Sequence, residues 1–322
     1  MSKLSVIIPV YNTEDYLSEC LDSFLCEKTD AEIILVESFS SDRSGQICDE
    51  YAENHENVSV IHEKCPVGIA RNIGLTRAGG KYVYFADSDD VIVPDALEKM
   101  IQIADLHHLD LLRFGAENFA DSPEFDEEVE AHRGHYIPKT EDESTYSGVE
   151  ALKDSLIKGE YTSAPWAYLF RRSFLMEHPH PYPDLKVHED TCTIPYIWLD
   201  AERVRRVKDI VYMRRMRPGS LSHDKVLKRS VMIYAGEFER LLKHYTYAPG
   251  ESEREVIVLL LKRLLMHALL VSLRMKEEDA QVTERLRQLK EAVYGFPFAD
   301  SMINWIEQPE VLSDGEGGVY FL

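Results

Sequence analysis

Four short apolar runs, separated by stretches of helical periodicity, occupy the first 106 residues, and this alternation constrains the fold more than any other feature of the chain. Leu4-Ser5-Val6-Ile7-Ile8-Pro9-Val10, Glu32–Val36, Val58–Ile61 and Lys81–Ala86 read as strands. Between them, Tyr16, Leu17, Cys20, Leu21, Phe24 and Leu25 recur at helical spacing after Asn12 and Thr13, either of which is a capping residue. Further helices are expected over Ser44–His55, Gly68–Ala78 and Pro94–Leu106. Strands that alternate with helices require right-handed crossovers, so a mostly parallel α/β sheet with helices on both faces is expected.

Ligands of such sheets bind beyond the carboxyl ends of the strands. Three polar exits would converge there: Tyr11-Asn12, Glu37-Ser38 and Asp87-Ser88-Asp89-Asp90. The last is an acidic cluster that can hold Mg²⁺ or Mn²⁺ against a diphosphate, because hard cations prefer oxygen ligands. Its plain alternative is an Asp-rich turn before a helix with Pro94 and Asp95 at its start. Neither GxGxxG nor a Walker A sequence is present, which argues against a dinucleotide dehydrogenase and a P-loop ATPase.

The chain has 322 residues, and Lys+Arg 36 against Asp+Glu 57 leaves a net charge of −21. Such an excess disfavours nucleic acid as a partner, since phosphate binding needs clustered basic groups. Between Glu117 and Glu143 ten acidic residues face only Arg133 and Lys139, which reads as a solvated, mobile flap. Arg203, Arg205, Arg206, Lys208, Arg214 and Arg215 read as a solvated basic face, with anionic lipid head groups as the alternative partner. Five cysteines without CxxC spacing read as reduced thiols. No secretory leader precedes Leu4, so a cytoplasmic location is expected, with peripheral contact at the inner face of a membrane as a further option.

Asp110–Phe114 reads as an edge strand, and Tyr146–Leu199 as irregular, loop-built terrain rich in aromatics and prolines. From Ser222 to about Val293 the pattern is helical. Val256–Leu273 is the most apolar stretch, but Lys262, Arg263 and His267 in its middle point to a helix buried in protein. A boundary near residue 224 divides the chain into 1–224, comprising a nucleotide-binding half at 1–115 and an acceptor-side half at 116–224, and a helical region at 225–322. The latter is also a candidate surface for a homo-oligomer.

Several residue patterns together resemble the family 2 glycosyltransferases, inverting enzymes with a GT-A fold. The resemblance opens at Ser5-Val6-Ile7-Ile8-Pro9-Val10-Tyr11-Asn12 and continues through Gly68-Ile69-Ala70-Arg71-Asn72-Ile73-Gly74-Leu75 and Gly80 to Asp90. Trp166, Arg171, Val187-His188-Glu189-Asp190-Thr191, Tyr212 and Arg217-Pro218-Gly219-Ser220-Leu221-Ser222 extend it over about the first 225 residues. It implies a nucleotide-sugar donor, a glycan or lipid-linked acceptor and a Mn²⁺ or Mg²⁺ cofactor. Asp190 would be the general base, with Glu189 orienting the acceptor. Asp89 would ligate the metal, Asp87 would lie near the ribose or the cation, and His223 would complete the candidate metal set. Pro9, Tyr11, Asn12, Glu37, Ser38, Arg71, Ser88, Arg217, Ser220 and Ser222 would line the donor site, and Trp166 and His188 the acceptor site.

One departure bears on specificity. Ser38 occupies the position where the family usually has an Asp that accepts the uracil imide hydrogen, and Phe39 replaces a small residue. A neutral hydroxyl gives a hydrogen bond about half as strong as a carboxylate does. Glu37 reaching round to the base is one remedy. Two other functions remain open at this level: a nucleotidyltransferase, which shares the nucleotide-binding half and acidic metal ligands, and a catalytically impaired nucleotide-sugar-binding module.

Overall fold

The computed structural model describes residues 2–218, 227–275 and 279–308. The chain divides into two compact units, Met1–Gly148 with Thr162–Ser220, and Val149–Tyr161 with Leu221–Leu322. The stretch 149–161 thus groups with the C-terminal helices, although it lies inside the 116–224 half read from the sequence.

The first unit contains strands β1 (Leu4–Val10), β2 (Ala31–Glu37), β3 (Val58–His62), β4 (Tyr82–Phe85), β5 (Val91–Ile92), β6 (Leu111–Ala120), β7 (Tyr168–Arg171) and β8 (Val204–Met216). They form one sheet in the order β3-β2-β1-β4-β7-β6-β8-β5. The first four pair in parallel, with Val10 level with Glu37, so the ends of β1 and β2 open side by side. Helices α1 (Leu17–Leu25), α2 (Ser44–Asn54), α3 (Val67–Arg77) and α4 (Ala96–His107) supply the crossovers. Gly74 brings α3 directly onto β1: a Cβ there would stand 2.3 Å from Ile7 Cγ2. Earlier on the same helix, Arg71 is thereby fixed at the strand ends.

The acceptor-side half differs from the expectation in four ways. First, β6 is not an edge strand. It continues from Leu111 to Ala120, past the expected end at Phe114, and lies between β7 and β8, while β5 forms the edge on that side. Second, the stretch read as irregular contains β7, which pairs antiparallel with both β4 and β6. Its four buried or half-buried residues, between a 3₁₀ turn at Pro165–Ala167 and the next helix, are too few to display a period.

Third, the acidic stretch is not solvated throughout. Asp142 is buried and accepts hydrogen bonds from Arg206 N, Nε and Nη2 at 2.8, 3.0 and 2.9 Å. Fourth, the arginines of β8 do not form a solvated basic face, because Arg206 and Arg215 are both buried against carboxylates.

The second unit is helical. Its C-terminal helices are Leu227–Tyr247, Glu251–Leu273, Ala280–Val293 and Ala299–Glu307. The second of these is long and apolar enough to cross a membrane by length and composition, but half of its most apolar window is buried within protein.

Candidate active site

The ends of β1, β2 and β4 build one polar rim. After β1 the chain turns through Asn12 with φ 51°, and after β2 through Phe39 with φ 53°. The two turns interlock: Asn12 N donates to Ser40 Oγ at 3.1 Å, and Ser41 N donates to Asn12 Oδ1 at 2.8 Å. Tyr11 is left 61% exposed, and Pro9 is half-buried within the strand.

Two donor-site expectations fail here. Glu37 is only 2% exposed and cannot reach round to a base. Its carboxylate is taken up by Ser40 N at 2.5 Å and His62 Nδ1 at 2.9 Å, while His62 Nε2 meets Asp49 at 3.0 Å. Ser88 is buried, sharing a 3.1 Å hydrogen bond with Thr13 Oγ1, so it ties the β4 turn to the β1 loop and does not line an open site. Ser38 is half-buried; its hydroxyl donates to Cys65 O at 2.6 Å and accepts from Cys65 N at 3.1 Å.

Arg71 joins the two acidic clusters. Its guanidinium is buried, donating from Nη1 to Glu189 Oε1 at 2.5 Å and from Nη2 to Asp87 Oδ1 at 2.9 Å. Burial opposes this charge, but Asp87 and Glu189 outweigh it and hold the guanidinium firmly protonated. Tyr182 packs against it, with its ring centre 5.5 Å from the guanidinium carbon. Asn72 holds the Tyr182 backbone by two hydrogen bonds of 2.8 and 2.9 Å. Gly68 permits this closure: an added Cβ would lie 2.9 Å from Glu189 Cγ and 3.0 Å from Pro183 O.

Glu189, expected to orient the acceptor, is buried here and paired through Oε1 with Arg71. Asp190 follows it and is half-buried. Thr191 N donates to Asp190 Oδ1 at 2.7 Å, and Ser163 Oγ to Oδ2 at 3.3 Å. Burial and the neighbouring charge of Glu189 nevertheless push its pKa up to about 7. A carboxylate near neutrality is suited to taking up a proton. His188 stands at φ 62°, and burial lowers its pKa.

Trp166 is only 5% exposed. Its ring stacks on Tyr212 at 5.0 Å and meets the edge of Tyr136 at 4.8 Å, so it is covered and does not present an open platform to an acceptor. No specific role for Tyr212 follows from the sequence, yet its hydroxyl donates to Asp90 Oδ2 at 2.7 Å and accepts from Asp87 N at 3.1 Å. Arg215 adds a backbone hydrogen bond to Asp90 Oδ1 at 2.7 Å and a guanidinium bond to Asp89 O at 2.9 Å. Both residues lie on β8, far along the chain from the turn they shape, and only tertiary pairing brings them there.

Asp90 is thus buried and used structurally, which leaves Asp87 and Asp89 facing the rim. Burial and the charge of Asp87 raise the pKa of Asp89, against the partial compensation of Arg217, whose Nε donates to it at 2.6 Å. Asp87 and Asp89 supply oxygen donors of the kind a divalent ion prefers, each paired with one arginine here. They do not make a protein-only cage: among the described residues no group of three His, Cys, Asp or Glu side chains could hold a metal ion. Ser220, Ser222 and His223 lie outside the described residues.

Residues 5–155 match the family described as Glycosyl transferase family 2. The uncharacterized glycosyltransferase EpsJ of Bacillus subtilis is 30% identical over 225 residues, covering 68% of this chain and 62% of that protein. The poly(ribitol-phosphate) β-N-acetylglucosaminyltransferase TarS of Staphylococcus aureus is 30% identical over 219 residues, covering 66% of this chain and 35% of that protein. The chain therefore spans less than two thirds of the length of these curated relatives. Among solved structures, S. aureus TarS 1-349 in complex with UDP-GlcNAc superimposes with a TM-score of 0.72 at 22% identity, covering 95% of this chain and 87% of that one. Sequence pattern and GT-A fold agree, and the chain belongs to glycosyl transferase family 2.

Proposed function

We propose that the protein transfers a sugar, with inversion, from a nucleoside diphosphate donor to a hydroxyl group of a glycan or lipid-linked acceptor. The observation that carries this reading is the Arg71 bridge, which sets Asp87 and Glu189 on the two sides of one guanidinium, with Asp190 next in the chain. Inverting transfer needs a base for the acceptor proton and a cationic environment for the departing diphosphate. Asp190 is the base, poised by a pKa near 7. Arg71 and Arg217 hold the carboxylates of the β4 turn in place.

Asp87 and Asp89 would hold Mn²⁺ or Mg²⁺. When bound, such an ion supplies Lewis-acid stabilisation of the diphosphate. UDP-sugars are the preferred donor class, supported by the UDP-GlcNAc bound to the TarS structure. The acceptor is assigned to surface polysaccharide synthesis, in keeping with the poly(ribitol-phosphate) glycosyltransferases among the relatives; a cytoplasmic site of reaction is part of the same proposal. The test is Asp190→Asn, assayed with a UDP-sugar and Mn²⁺ for donor binding and transfer separately. Donor binding should persist while transfer is lost; full transfer by this variant would remove Asp190 as the base.

A further inference from the structure

At the end of β2 the backbone holds a phenylalanine in a conformation that side chains rarely adopt. Phe39 has φ 53°, and its ring is 61% exposed. A left-handed non-glycine residue is strained, and such strain persists only where the surroundings over-determine it. Here they do. Ser38 on one side is clamped to Cys65, and Ser40 N on the other to the buried Glu37 carboxylate. His62 lies 6.3 Å from the Phe39 ring and is itself fixed between Glu37 and Asp49.

A hydrophobic anchor for the loop would be buried. This ring is not, and neither is Tyr11 at the adjacent end of β1. Neither Glu37 nor Ser38 offers a free charge for reading a base: the Glu37 carboxylate is engaged internally, and the Ser38 hydroxyl spends its proton on Cys65 O while accepting from Cys65 N, which leaves only a neutral oxygen. An exposed aromatic face beside a nucleotide crevice recognises a planar ring by stacking, and every base has such a face.

We infer that Phe39 is a stacking wall for the nucleobase of the donor, contributing affinity without choosing strongly among bases. This rests on the donor site proposed above. Unlike a carboxylate facing an imide, a stacked ring contributes to binding uridine and adenosine nucleotides alike.

The test is calorimetric titration of the full chain with UDP, ADP and inorganic pyrophosphate, each with Mn²⁺, for the wild type, Phe39→Gly and Phe39→Trp. Phe39→Gly should weaken UDP and ADP binding by about tenfold each, within the range for loss of one base stack. Pyrophosphate affinity should be unchanged, and Phe39→Trp should restore both nucleotides. Because glycine accepts positive φ, Phe39→Gly should melt no lower than the wild type. Unchanged nucleotide affinities in Phe39→Gly would overturn the inference while leaving the donor site in place. A loss confined to UDP, or an equal loss for pyrophosphate, would also overturn it. A wild type that binds neither nucleotide would remove the donor site and this wall together.

Discussion

Arg71 and Glu189, 118 positions apart in sequence, meet at 2.5 Å through a buried guanidinium-to-carboxylate hydrogen bond. The same guanidinium reaches Asp87, so one side chain holds the β4 turn against the segment that carries Asp190. Removing it would leave Glu189 buried without its counter-charge. Arg71→Ala is expected to lower stability by about 3–5 kcal/mol, the usual cost of breaking a buried pair from one side. Adding Glu189→Gln should recover part of that loss in urea unfolding. Arg71→Lys should not substitute, because a point charge cannot span two carboxylates as a planar fork does.

Burial and the charge of Glu189 push the Asp190 carboxyl up to about 7 from its ordinary 3.8. As the proposed base it must be ionised, so kcat/KM should rise with pH through about 7, by about tenfold per unit below that point. Stability moves the other way. The folded chain holds this proton more tightly than the unfolded chain, so the contribution is complete below the ordinary carboxylate value and disappears as pH rises through about 7. Thermal melts should show Asp190→Asn gaining over the wild type as pH rises from about 4 to about 8.

Gly68 is the contact that lets the segment of Tyr182 to Glu189 close on α3. Gly68→Ala should cost about 1–3 kcal/mol as an overpacked site. Transfer should fall further than stability alone explains, because the displaced atoms belong to Glu189 and the neighbouring backbone. Comparing Tm with kcat separates the two effects.

Tyr212→Phe removes the hydroxyl shared by Asp87 N and Asp90 Oδ2 while preserving the ring on Trp166. A loss of about 1–3 kcal/mol is expected, since a buried carboxylate loses one donor. Metal-dependent donor binding should weaken as the turn loosens, which titration with a UDP-sugar in Mn²⁺ would detect.

Chelation by EDTA should abolish the donor-induced rise in Tm, and added Mn²⁺ should restore it, since a ligand that favours the folded state raises its melting point. Asp89→Ala should remove the metal-dependent part of that rise. A Tm response to donor that is identical with and without EDTA would exclude the two carboxylates as the metal site.

The parallel half of the sheet was legible because each of its strands is a compact apolar run followed by a helix with its own period. Local chemistry also marked Asp87, Asp89 and Arg71, whereas Asp190 was singled out by the family resemblance. It could not reveal β7, whose four residues carry no period, nor the roles of Tyr212 and Arg215, whose partners lie far away in sequence. Glu37 and Ser88 have side chains suited to binding ligands, but burial commits them to internal hydrogen bonds. Sequence by itself determined the alternating α/β plan and the residue types available at the strand ends, because both depend on short-range periodicity and chemistry. Only the tertiary structure decided which of those groups remain open to a ligand, because burial and hydrogen-bond saturation depend on contacts between distant segments.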